Sequence, residues 1–160
     1  VAAVVAGSLS VEDALKMVAA RGRLIEEKCD PKAGAMASIF ASEADVRSAI
    51  AKTDLKGEMA TIAAINGPKQ TVVSGHSRAV EAVCDNVSAN SKVLSIPHAM
   101  HSELIAPILP ELRKVAEKCK FKKPAADVHF VSALTGGEVT NEVCKASYWL
   151  GHDEAKPMLF

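Results

Sequence analysis

Apolar side chains recur at helical spacing from Ser10 to Cys29. At about 100° per residue, Val11, Ala14, Leu15, Val18 and Ile25 fall on one face, flanked by Met17 and Leu24. Ser10, with Asp13 three residues on, makes a capping-box-like start, and no Gly or Pro interrupts until Gly22. Arg21 falls inside the apolar sector, whereas Arg23 points the other way and reads as solvated charge. An inward guanidinium must find an anion or a cluster of carbonyls, because a buried unpaired charge is costly. Arg21 is therefore either a structural ion pair or snorkelling side chain, or a carboxylate-binding group in a cleft.

Between Gly34 and Ile96 the period changes to that of alternating strands and helices. The pattern predicts a strand at Ala35–Phe40, a helix opened by Ser42 and Asp45, and a strand at Ala60–Ile65. A tight Asn66-Gly67-Pro68-Lys69 turn, a strand at Gln70–Ser74, a helix at Ser77–Ala89 and a strand at Lys92–Ile96 come next. That order is β-α-β-β-α-β, the split βαβ of ferredoxin-like folds.

From Pro97 the pattern is helical again. Leu104, Ile105, Ile108, Leu109, Leu112, Val115, Ala116 and Cys119 form a stripe, with Pro107 and Pro110 kinking its early turns. A short strand is expected at Val128–Val131, then a turn at Leu134-Thr135-Gly136-Gly137. The tail, Tyr148 to His152, mixes aromatic and polar groups. The expected division is a large α/β subdomain from residues 1–33 and 97–160, with a smaller one from 34–96 inserted into it.

Composition changes little in this picture. Apolar residues make up 49% and charged ones 24%, typical of a globular domain with a real core. Nineteen basic and nineteen acidic side chains cancel, so no global field recruits nucleic acid or an anionic membrane. Cys29, Cys84, Cys119 and Cys144 are widely spaced with no C-x-x-C, which fits reduced thiols in a cytoplasmic setting rather than a zinc site. The apolar start, Val1 to Ala6, is too short for a membrane span and lacks a signal peptide's charged n-region. The first residue is not Met, and the chain is expected to be a piece of a larger protein.

Two segments invite a catalytic reading. Gly75-His76-Ser77-Arg78-Ala79 resembles the G-x-S-x-G nucleophile turn with Ala in its last position. However, its strand comes after a hairpin turn and must run antiparallel to its neighbour, so Ser77 is expected to cap a helix instead. His98 and His101 stand three apart, with Ser102 next, where an extended segment meets a helix. No third ligand completes a metal site. The positive end of the adjoining helix would favour neutral imidazole, the form a general base needs.

Several motifs in one order carry a family resemblance. Val1 to Leu24, Gly34-Ala35-Met36, Ala63 to Gly75, His98-Ala99-Met100-His101-Ser102, Val131 to Gly136 and Tyr148-Trp149 together resemble the acyltransferase domain of a polyketide synthase, related to malonyl-CoA:acyl carrier protein transacylases. The resemblance implies an α/β-hydrolase-like subdomain carrying a ferredoxin-like one. It also implies that the nucleophilic serine and the oxyanion-hole donors lie outside this chain, since the stretch at Val1 resembles the segment directly after the family's serine motif. His101 would be the catalytic base, Arg21 the group that binds the malonyl carboxylate, and the Ala133 carbonyl the group that orients His101. His98 and Met100 would set acyl selectivity, with His98 favouring malonyl over methylmalonyl and Met100 standing where Phe is usual.

No bound cofactor is implied: a coenzyme A thioester is the substrate and phosphopantetheine on an acyl carrier protein takes the acyl group. The partners would be that carrier and the ketosynthase and other synthase domains of the same chain. A free-standing transacylase of fatty-acid synthesis, a non-catalytic interaction module and a hydrolase using Ser77 are the alternatives.

Overall fold

The computed structural model describes every residue, Val1–Phe160. A single turn, α1 (Ala2–Val5), precedes the long helix α2 (Val11–Lys28). The Ser10 hydroxyl accepts the Asp13 N–H at 3.0 Å, as the capping pattern requires. This chain buries part of the apolar face of α2. Leu24 and Ile25 are buried with Met17 and Ala20 beside them, but Val11, Leu15 and Val18 are 61%, 65% and 69% exposed. Periodicity marks an apolar face, whereas burial depends on which side a neighbour takes. Here α5 (Leu109–Ala116) and the 3₁₀ turn Glu103–Ile108 pack on the Leu24–Ile25 side.

The split βαβ unit forms as the pattern predicts, with some ends shifted. Its elements are β1 (Gly34–Ile39), α3 (Glu43–Lys52), β2 (Ala60–Gly67), β3 (Gln70–His76), α4 (Ser77–Asn86) and β4 (Ser91–Val93). Ser42 caps α3 by accepting the Asp45 N–H. The hairpin closes with Gly67 opposite Gln70, leaving Pro68 and Lys69 as the loop.

The strand order is β4-β1-β3-β2, antiparallel throughout, and β5 (Met158–Leu159) adds parallel to β2. Those last residues belong to the expected large subdomain, yet they extend the other sheet. Alternation sends Ala37, Ile39, Ile62 and Val73 under α3 and α4, where they meet Val46, Ala49, Val80 and Val83. Met36, Ala63 and Val72 point to the opposite face, against Leu94 and Met100. That second face is a floor for the loop that holds the histidines.

A second core lies off the sheet. Leu24 and Ile25 of α2, with Cys29 at its C-terminal end, pack with Ile105, Ile108, Leu112, Ala116 and Leu150. The stripe that supplies it is a 3₁₀ turn containing Pro107 and then α5, which starts with Pro110 in its first turn. Pro110 thus stands where a missing N–H costs little, while Pro107 lies inside the 3₁₀ turn. The strand expected at Val128–Val131 does not form. Its backbone folds back on its own chain instead: the Val139 N–H donates to the Phe130 carbonyl and the Ser132 N–H to that of Gly137, both at 2.9 Å. Only a Val131↔Glu138 bridge remains.

Gly75, in β3, has φ +154°, and a Cβ there would stand 2.1 Å from the Met59 carbonyl oxygen and 2.7 Å from the Ala60 Cα. Both obstacles are backbone, so no rotamer change relieves them. Gly75→Ala is expected to destabilise the fold by about 2–3 kcal/mol, read as a lower thermal midpoint of the intact domain. An unchanged midpoint would show that β2 can move away.

Candidate active site

His101 sits in the loop 97–102, which is held by its own hydrogen bonds. The Ser102 hydroxyl donates to the Ala99 carbonyl at 2.6 Å and accepts the Leu104 N–H at 3.3 Å, while the Met100 N–H meets the His98 carbonyl at 2.9 Å. His101 is the one non-glycine residue with positive φ, at 61°. Such a conformation costs about 1–2 kcal/mol for a residue with a Cβ, and it is retained here where the imidazole enters a cavity.

That cavity has a volume of about 270 Å³. Met17, Val18 and Arg21 of α2 form one wall and Leu112 of α5 another. Trp149 of α6 (Ala146–Leu150), with His152 and Asp153 of the 3₁₀ turn after it, closes the third. The structure thus brings Arg21 and His101 together from positions eighty residues apart in the chain. No serine, threonine or cysteine lies among these lining residues. Larger surface clefts exist, including one of about 500 Å³ near Lys16, Lys118, Lys120 and Lys122, but none joins a histidine to an arginine.

The Arg21 Nε–H donates to Asp153 Oδ1 at 2.6 Å. The Asp153 side chain is 5% exposed and that of Arg21 36%. An anion for the inward guanidinium is therefore present, and it comes from the far end of the chain. Arg23 pairs with Glu27 at the surface, as its direction on the helix predicts.

Burial holds the His101 imidazole below the usual histidine pKa, the Arg21 charge pushes it further down, and Asp153 and the His152 backbone oppose. His152 is lowered as well, chiefly by burial. The element after His101 is a six-residue 3₁₀ turn capped by Ser102, so burial rather than a helix dipole keeps the ring neutral. A neutral imidazole beside a fixed guanidinium, between apolar walls, can accept a proton next to a bound carboxylate.

The family model of the acyl transferase domain matches residues 1–157. The chain belongs to that family. This acyltransferase chain is 40% identical over 163 residues to Polyketide synthase GfsB of Streptomyces halstedii, covering 99% of the chain and 3% of that protein. The crystal structure of the acyltransferase domain from the second module of the salinomycin polyketide synthase is similar with a TM-score of 0.87 and 39% identity, covering 99% of this chain and 36% of that one. The malonyl CoA-acyl carrier protein transacylase of Coxiella burnetii is similar with a TM-score of 0.85 and 27% identity, over 98% and 50% of the respective chains. The α/β class agrees with these domains, and the chain spans a small part of the synthase and half or less of each domain.

The remaining expected site residues of the acyltransferase chain lie outside the cavity wall. His98 is half-buried with a buried Nδ1 that has no partner, and Met100 packs between the second core and the sheet floor. The Ala133 carbonyl accepts the Leu159 N–H at 2.7 Å, because β5 runs beside the 132–137 turn. The His101 Nδ1 is buried without a hydrogen-bond partner, and the Ala133 carbonyl makes no bond to it in this chain.

Ser77 is also displaced by one position. His76 is the N-cap of α4 and Ser77 the first helical residue, with no side-chain capping bond. The imidazole beside it, His76, contacts the Met59 N–H and Glu103, and the Ser77 hydroxyl bonds to no histidine. Asp153 is a lining residue that sequence reasoning did not single out, and Trp149 and His152 figured there only in the tail and the Tyr148-Trp149 motif, with no role in the site. The inward Arg21 signalled that an anion was needed without saying which.

Proposed function

We propose that this chain supplies the base and the carboxylate clamp of an acyltransferase that moves malonyl from coenzyme A to the phosphopantetheine thiol of an acyl carrier protein in polyketide assembly. The observation that carries the reading is the placement of Arg21 and His101 on one cavity with apolar walls. A polyketide synthase and a malonyl transacylase are among the similar proteins, which supports the same class. His101 takes the proton of a serine furnished by another part of the domain, and the serine oxygen attacks the malonyl thioester carbonyl. The coenzyme A thiolate leaves and is protonated by the imidazolium. A phosphopantetheine thiol then gives its proton to His101, attacks the acyl-serine and restores the serine.

Throughout, Arg21 holds the free carboxylate, while His98 and Met100 limit the space for an α-substituent on the acyl unit. No metal or bound cofactor has a role in this scheme. The carrier protein and the neighbouring ketosynthase and other synthase domains are the partners, and four unpaired thiols suit a reducing cytoplasm. The test offers the intact domain malonyl-CoA or acetyl-CoA with a phosphopantetheinylated carrier and reads the adduct by mass. Faster malonyl loading is expected; an unloaded carrier, or equal loading from both thioesters, would overturn the reading.

A further inference from the structure

We propose that Asp153 is the positioning residue of the carboxylate clamp: it fixes Arg21 through Nε alone, so that the two terminal nitrogens face the substrate carboxylate end-on. The inference rests on the malonyl reading of the site. Arginine offers five N–H groups in a planar fork, and a carboxylate that satisfied it fully would take two of them. Asp153 takes one, through Oδ1 at 2.6 Å, and the Nη1 and Nη2 groups have no hydrogen-bond partner in the protein.

Asp153 is itself held rigidly. It is buried, and it ends a 3₁₀ turn that begins at Gly151, where a Cβ would stand 3.1 Å from Leu134 Cδ1. The helix before that turn, α6, is tied down by the Tyr148 hydroxyl on Ser132 Oγ and the Trp149 Nε1–H on the Val143 carbonyl, each at 2.8 Å. Rotation about the long arginine side chain is thus restricted before substrate arrives, which lowers the entropy cost of binding. The Asp153 charge also offsets that of Arg21, so selection of a dicarboxylic acyl unit depends on the geometry of the fork more than on net charge.

The experiment measures kcat and KM of the intact domain for malonyl-CoA and acetyl-CoA with Asp153→Asn and Arg21→Lys. Asp153→Asn is expected to raise the malonyl KM roughly tenfold while kcat and the acetyl KM stay near wild type. Arg21→Lys keeps the charge and the pair with Asp153 but has no fork, so its malonyl KM rises too, and it serves where Asp153→Asn fails to fold. Asp153→Glu, which restores the carboxylate, should recover part of the loss. A lower malonyl KM in Asp153→Asn would make Asp153 a resident competitor and overturn the proposal. So would an unchanged malonyl KM in Asp153→Asn, or equal rises for both thioesters. A wild-type domain with no malonyl preference would overturn the underlying reading and this proposal with it; a clear preference that Asp153 variants do not alter would overturn the proposal alone.

Discussion

His101→Ala in the intact domain is expected to lower acyl-serine formation from malonyl-CoA by roughly 10²- to 10⁴-fold, the span a positioned general base contributes. Among the lining residues His152 is the other imidazole, but it lies stacked against Trp149 at 6.0 Å between ring centroids and edge-on to Tyr148 at 5.6 Å. It is therefore packed in place and cannot swing over to act for His101. The loop should survive the substitution, since Ser102 rather than His101 supplies its hydrogen bonds. A pH profile sharpens the result. Because burial and Arg21 lower the His101 pKa, the neutral base persists below the ordinary histidine midpoint, and the acid limb of the rate falls below pH 6.5. Mass measurement of the acyl-enzyme decides the matter. Undiminished labelling in His101→Ala, or its loss in the control Ser77→Ala, would overturn the assignment.

Local chemistry was legible in the sequence wherever one short segment decides the outcome. Ser10 and Ser42 cap their helices, the Asn66–Lys69 turn closes its hairpin, and the alternation of β1, β2 and β3 puts the predicted sides under α3 and α4. Features that depend on a distant neighbour were not. That α5 packs on the Leu24–Ile25 side of α2 could not be read from periodicity, nor could the pairing of 128–131 with its own next turn. The pairing of β5 with β2 joins residues nearly a hundred positions apart in sequence.

The site divides the same way. A need for an anion beside Arg21 comes from desolvation physics, whereas its source is set 132 residues away by how α6 and its 3₁₀ turn dock. His101 and Arg21 were picked out by the motifs around them, and the structure brings the two to one cavity. The partner of the Ala133 carbonyl, the Leu159 N–H, was not legible, because a main-chain contact depends on the path of the backbone.

Arg21→Ala in the intact domain is expected to cut malonyl transfer relative to acetyl by roughly 10²-fold or more, the loss expected on removing a charge-assisted bidentate pair. The ratio is the meaningful quantity, because the substitution also strands a buried carboxylate. Asp153 is 5% exposed, and without its guanidinium its carboxylate is left buried with no charge partner. Breaking such a pair typically costs about 3–5 kcal/mol of stability, so a lower thermal midpoint accompanies the kinetic change. Acetyl transfer separates the two effects: acetyl has no carboxylate for Arg21 to hold, and its rate reports only on folding and on His101. The double variant Arg21→Ala/Asp153→Asn removes the stranded charge and should recover much of the midpoint while leaving malonyl transfer impaired. Recovery of malonyl preference in the double variant would mean that Arg21 serves only to neutralise Asp153. An unaltered malonyl-to-acetyl ratio in Arg21→Ala would reduce the pair to a structural ion pair.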